Sequence, residues 1–144
     1  MMQTMAQMSL YQTHPVAQEK GLKALRHLCM LDRSAAIFAV EQGVLATILK
    51  ALTAFPSSVN VQEAGTSLLR TLANPDCQDA MFIALESRPV KTILSAMCHE
   101  PWKTELRHIS SSILLADQKI RSDNDAMIRA QMTTRIDNLT VYND

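Results

Sequence analysis

Lys23, Arg26 and His27 return 44 residues later as Ser67, Arg70 and Thr71, at matching places in two similar segments. The chemistry such a set can do is recognition. A guanidinium offers a planar fork of N–H donors that fits a carboxylate or a row of backbone carbonyls, and an ammonium adds a point charge. Arg107 continues the strip along the chain. The competing reading of these seven residues is a solvated helix face with no partner.

Catalytic and metal chemistry find less support. Cys98-His99 with His108 nine residues on is the nearest approach to a ligand set, and it lacks the second close pair that a closed metal site needs. His14, His27, His99 and His108 stand beside no acid or nucleophile in a triad-like arrangement. Glu100 and Glu105 read as solvated or capping carboxylates. No glycine-rich loop is present to cradle a phosphate. An enzyme, a metal site and a bound cofactor are therefore not expected. Cys29, Cys77 and Cys98 are odd in number and widely spaced, which suits reduced thiols inside a cell rather than a disulfide framework. Asn138-Leu139-Thr140 fits a glycosylation acceptor, but only for a chain that takes a secretory route.

The elements that would carry the basic strip are helices. Gln62-Glu63-Ala64-Gly65-Thr66-Ser67-Leu68-Leu69-Arg70-Thr71-Leu72-Ala73 follows Gln18-Glu19-Lys20-Gly21-Leu22-Lys23-Ala24-Leu25-Arg26-His27-Leu28-Cys29 with Gln, Glu, Gly, Leu, Arg and Leu in the same order. Ala17, Gly21, Ala24, Leu25 and Leu28 share one helix face. His14-Pro15 opens this first long helix. Asp32 reads as the N-cap of a short helix holding Ala36, Ile37, Phe38 and Val40, which Gly43 ends. Leu45, Ile48, Leu49 and Leu52 form the core stripe of the next helix, over 44–55, which Pro56 breaks. Asn60 with Glu63 reads as a capping box for the second long helix, over 61–73, and Asn74-Pro75 stops it.

The next unit repeats these signals. Asp76 stands where Asp32 stood, Ala80-Met81-Phe82 echoes Ala36-Ile37-Phe38, and Thr92-Ile93-Leu94 echoes Thr47-Ile48-Leu49 after one extra residue. A third long helix is expected over 102–120, with Ser122, Asp123 or Asn124 capping a further helix. Asp125-Ala126-Met127 repeats Asp79-Ala80-Met81, and Met127, Ile128, Met132, Ile136 and Leu139 suggest a last apolar face. Gly21 and Gly65 recur inside helices, where glycine costs about 0.8–1.0 kcal/mol against alanine, so a neighbouring helix is expected to pass close by.

A long period that carries caps, core and breakers together is the mark of a stacked helical repeat. Composition agrees. Of 144 residues, 47% are apolar and only 4% aromatic, so the core must be aliphatic. Fourteen basic and fourteen acidic residues cancel, which disfavours nucleic acid as a partner. The N-terminus has neither a basic region nor the apolar run of a signal peptide. No stretch approaches the ~18 consecutive apolar residues of a membrane span, so a membrane partner is not expected. These features suggest the cytosol or the nucleus.

The order short helix, middle helix, long helix resembles the armadillo repeat. The likeness rests on Ala36-Ile37-Phe38 with Glu41-Gln42-Gly43-Val44-Leu45, on Thr47-Ile48-Leu49, and on the segment from Gln62 to Ala73. HEAT repeats have a similar period with two helices per unit; the Asp-capped short helix argues for three. The resemblance implies an all-α, right-handed α-solenoid of about two full three-helix repeats, with partial repeats at both ends. Residues 1–14 would be a flexible lead-in or N-terminal cap, 15–140 the repeat domain and 141–144 a frayed tail. It also implies a non-catalytic module that binds a partner protein or extended peptide along the long third helices. In importin-α-like members a ladder of Trp and Asn grips the peptide. The Trp positions here hold Lys23 and Ser67 and the Asn positions His27 and Thr71, so recognition of that kind is not implied. The alternative is an oligomerisation or regulatory segment of a larger protein that self-associates through its open solenoid ends.

Overall fold

Stacked amphipathic helices need buried aliphatic stripes, clean stops and a donor for every buried helix end. A computed structural model of the protein describes the backbone of residues 1–143 and the side chains of residues 1–139. Among the described residues it is all-helical. The order is α1 (Met2–Leu10), α2 (Pro15–Leu31), α3 (Arg33–Glu41), α4 (Val44–Ala54), α5 (Val59–Leu72), a 3-10 turn (Pro75–Cys77), α6 (Gln78–Ala84), α7 (Arg88–Ala96) and α8 (Thr104–Asn143).

The boundaries have local causes. Pro15 occupies the first turn of α2, where its missing N–H costs nothing. Asp32 accepts the Ala35 N–H at 2.7 Å and caps α3. Gly43 takes φ +90°, a left-handed conformation that admits the tight turn into α4. Ser58 caps α5 through the Val61 N–H, so the capping box expected at Asn60 lies two residues too late. Asn74 caps the 3-10 turn through the Cys77 N–H. Asp76 therefore does not repeat the capping role of Asp32; it pairs with Arg33 at 3.0 Å.

The core is one continuous aliphatic cluster. Leu22 and Leu25 of α2, Ile48, Leu49 and Leu52 of α4, and Leu68, Leu69 and Leu72 of α5 are fully buried. The cluster extends to Leu94 and Met97 and to Leu106 and Ile113 of α8. Helix α2 packs on α5, α5 on α4 and α8, and α6 on α3 and α8.

Two joints in this packing have the same construction. Gln62 of α5 donates its Nε2 to the Leu52 and Phe55 carbonyls at the end of α4, at 2.9 and 3.0 Å. Gln18 of α2 donates to the Met8 and Tyr11 carbonyls at the end of α1, at 2.8 and 2.9 Å. Both clamps reach back by ten and seven residues. Gly65 faces Leu52 and Gly21 faces Met8 at one more shared interval. Helix α1 thus stands to α2 as α4 stands to α5, with Met8 buried in the joint.

The C-terminal part departs from expectation. No break occurs at Ser122, Asp123 or Asn124, and α8 runs unbroken from Thr104 to Asn143. Neither Gly nor Pro occurs in this stretch, and a Ser or Asp side chain alone does not interrupt a helical ladder. The apolar face expected at Met127, Ile128, Met132, Ile136 and Leu139 is exposed rather than packed into the core. The tail expected over 141–144 lies outside the residues whose side chains are described.

The two internal glycines should respond differently to substitution. A Cβ on Gly65 would sit 2.6 Å from Cδ2 of Leu52, which is enclosed on all sides. The overpacking cost of about 1–3 kcal/mol exceeds the ~1 kcal/mol gained in helix propensity. A Cβ on Gly21 would meet Cγ and Sδ of Met8, which is buried but unbranched and sits on the terminal helix. Gly65→Ala is expected to lower the urea midpoint, and Gly21→Ala to lower it less. A stabilising Gly65→Ala would contradict the close approach of α4 and α5.

Candidate binding surface

The amphipathic pattern that buries Leu22, Leu25, Leu68 and Leu69 turns the opposite faces of α2 and α5 outward. Lys23, Arg26 and Ser67 line one shallow depression of about 170 Å³, together with Glu19, Asn60, Glu63 and Ala64. Helices α2 and α5 pack directly on each other. His27 is exposed on the same helix as Lys23. Thr71 turns its hydroxyl back onto the Ser67 carbonyl at 3.0 Å, and is therefore engaged within its own helix. Arg70 pairs with Glu105 of α8, which ties the strip to the third long helix. Arg107 bonds Thr104 Oγ1 at 3.0 Å.

The charge of this surface is mixed. Lys23 Nζ lies 2.7 Å from Glu19 Oε1, an i, i+4 pair on the helix surface. Glu63 lines the depression beside Arg26. The Nε atoms of Arg26 and Arg107 are buried without a hydrogen-bond partner, so each guanidinium keeps an unused donor. Sequence reasoning picked out the cations and passed over Glu19, Asn60 and Glu63. Their signal was the same spacing, since Glu19 and Glu63 repeat at the interval that pairs Gly21 with Gly65.

A second cavity, of about 240 Å³, opens between α6, the end of α5 and α8. Leu72, Met81, Phe82, Leu85, Ile113 and Ile120 make its walls largely apolar. Asp117 also lines it and is only 3% exposed. Its Oδ2 is held by Arg121 Nε at 3.0 Å and by Lys91 Nζ at 3.5 Å. Its Oδ1 is buried with no partner. The Arg121 guanidinium stands 4.5 Å from the centre of the Phe82 ring. The sequence held one clue to this site: Asp117 falls where Leu72 and Leu28 fall in the preceding units, an acid on an apolar stripe.

Among the described residues no group of three His, Cys, Asp or Glu side chains could hold a metal ion, and no single helix is long and apolar enough to cross a membrane. Comparison with protein-family models, with curated proteins and with solved structures found no match.

Cys29 and Cys77 are buried. Burial, and secondarily the neighbouring Cys77, raises the Cys29 thiol pKa. Burial and then Asp76 raise that of Cys77, against a smaller opposing effect from the Asn74 hydrogen bond. The folded chain thus holds both protons where the unfolded chain has released them. The stability this contributes is present below the ordinary thiol pKa of 9.0 and is lost as pH rises above it. The urea midpoint is expected to fall between about pH 8 and pH 10, and less steeply in a Cys29→Ala/Cys77→Ala variant. Equal slopes in the two proteins would contradict the assignment.

Proposed function

We propose that this chain is an armadillo-like right-handed α-solenoid of about two three-helix repeats with partial ends, and that it works as a non-catalytic protein-binding module. Its partner is an extended protein segment lying across α2, α5 and α8. The observation that carries the reading is the repeated joint: Gln18 with Gly21, and Gln62 with Gly65, each fix a long helix to the helix before it by the same contacts. Helices α2 and α5 also pack on each other, and long helices side by side would offer a repeating row of side chains to an extended chain.

The chemistry of that row defines the segment. Lys23, Arg26 and Arg70 favour carboxylates, and the outer N–H groups of the two arginines also suit backbone carbonyls. Glu19 and Glu63 favour an occasional base or amide N–H on the same segment. No charge field on this chain favours nucleic acid. The compartment consistent with three free thiols is the cytosol or the nucleus. A second reading, assembly with further copies, is favoured by the exposed apolar side chains of the outer half of α8.

A peptide array probed with the wild-type chain and with Lys23→Glu/Arg26→Glu/Arg70→Glu tests the binding face. The expected result is loss of the acidic segments from the variant's profile, with an unchanged circular dichroism spectrum. Surface replacements of this kind cost within about 0.5 kcal/mol each, so the fold should persist. An identical profile for both proteins would rule out this face.

A further inference from the structure

Helix α8 is 40 residues long, about 60 Å at 1.5 Å per residue. Its first half is embedded in the core, and from Ser122 to Leu139 every residue is exposed. A helix without tertiary cover depends on its own propensity, and short isolated helices are marginal in water. This segment is poorly equipped to stand alone. Ser122, Asn124, Thr133, Thr134 and Asn138 are weak helix formers, and the hydroxyls of Thr133 and Thr134 bond back to carbonyls of the preceding turn. Yet it carries large apolar side chains in the open: Ile128 at 54%, Met132 at 58% and Leu139 at 63% exposure.

These side chains belong to a longer line. Ile113, Asp117, Arg121, Asn124, Ile128, Met132, Arg135 and Leu139 advance by steps of four, four and three. An 11-residue pattern of this kind matches the natural turn of the α-helix closely, so the line stays nearly straight along one face. Its first two members line the 240 Å³ cavity, together with Ile120 one position from the line. The inner members are covered by the body, Ile113 at 5% and Asp117 at 3% exposure, whereas the outer stripe from Asn124 to Leu139, about 22 Å long, is open. One straight helix laid along the outer stripe would cover it.

Charge selects the occupant and its direction. Asp125 and Arg129 lie one turn apart on one flank of the line, and Arg135 lies within it. We propose that a second copy of this chain covers the line, the two α8 helices pairing antiparallel about a two-fold axis close to residues 126 and 127. In that register Asp125 of each copy stands beside Arg129 of the other. Ile120 meets Met132 across the contact. Parallel pairing would set Arg135 on Arg135, a like-charge contact, and would leave the Asp125 and Arg129 flanks of the two copies on opposite sides of the contact, unpaired. The antiparallel contact is isologous and closes at two copies. It makes no use of the α2–α5 face, so its failure leaves the peptide-binding reading intact.

Sedimentation equilibrium of the full chain tests the proposal at loading concentrations up to about 200 μM, a range that detects dissociation constants tighter than millimolar. The wild-type chain is expected to dimerise. Ile128→Asp/Met132→Asp should weaken the dimer by about a hundredfold or more, since buried apolar anchors dominate such contacts. Because both residues lie outside the core, thermal unfolding of the monomer should be unchanged. Asp125→Arg and Arg129→Asp should each weaken association, and the two together should restore it. A wild-type chain that stays monomeric, a dimer indifferent to the aspartates, or a double exchange that fails to restore association would each overturn the proposal.

Discussion

A carbonyl at the end of a buried helix has lost water and has no intrahelical donor, and leaving it unmatched costs as much as a lost hydrogen bond. The fold meets this need with a side chain from the next helix. The Gln62 amide closes the end of α4, and the Gln18 amide closes the end of α1. Both glutamines are almost wholly buried, a placement that such a residue tolerates only when its own polar atoms are engaged. With the amide fixed, the two helices can approach only where the facing position has no Cβ. Gly65 opposite Leu52 and Gly21 opposite Met8 supply that gap. The clamp and the gap together set how closely each long helix approaches the helix before it.

The third unit shows what happens as this joint is relaxed. Arg107 stands where Gln62 would be expected, and its guanidinium turns to Thr104 rather than to the preceding helix. Ser110 stands in the place of Gly65, fully buried, with a hydroxyl that has no partner. Met97, in the place of Leu52, remains buried, so the apolar half of the joint persists while its polar half is lost. Further along, Asp117 replaces a core leucine, and the turn that should follow is missing. The outer half of α8 therefore leaves the body as a straight helix. On the proposed reading, the regular units offer a surface to a partner segment and the irregular one to another helix.

Much of this was legible in the residues. The long period, the stripe of Leu45, Ile48, Leu49 and Leu52, the cap at Asp32 and the turn at Gly43 rest on short-range chemistry that a sequence displays directly. The recurrence of Gly21 and Gly65 signalled a close approach, and the approach is there. The role of Gln18 and Gln62 was not legible, although both were noticed as repeats, because a long-range side-chain bond leaves no local pattern. The caps at Ser58 and Asn74 were missed because several polar residues competed at each helix start. The continuity of α8 was missed for a related reason. Ser122, Asp123 and Asn124 are good caps where a helix begins, but they do not compel one to end. Of the candidate surface, the cations stand out by type, whereas Glu19 and Glu63 repeat in the sequence without any sign there that they line the depression.

The account turns on whether the buried amide holds consecutive helices together. Urea unfolding of Gln62→Leu measures this directly, since leucine keeps most of the bulk and removes the donors. The buried Leu52 carbonyl loses its Gln62 donor while the Phe55 carbonyl keeps the Ser58 N–H, so stability should fall by about 1–3 kcal/mol with the slope of the transition unchanged. A midpoint equal to that of the wild-type chain, or above it, would contradict the account.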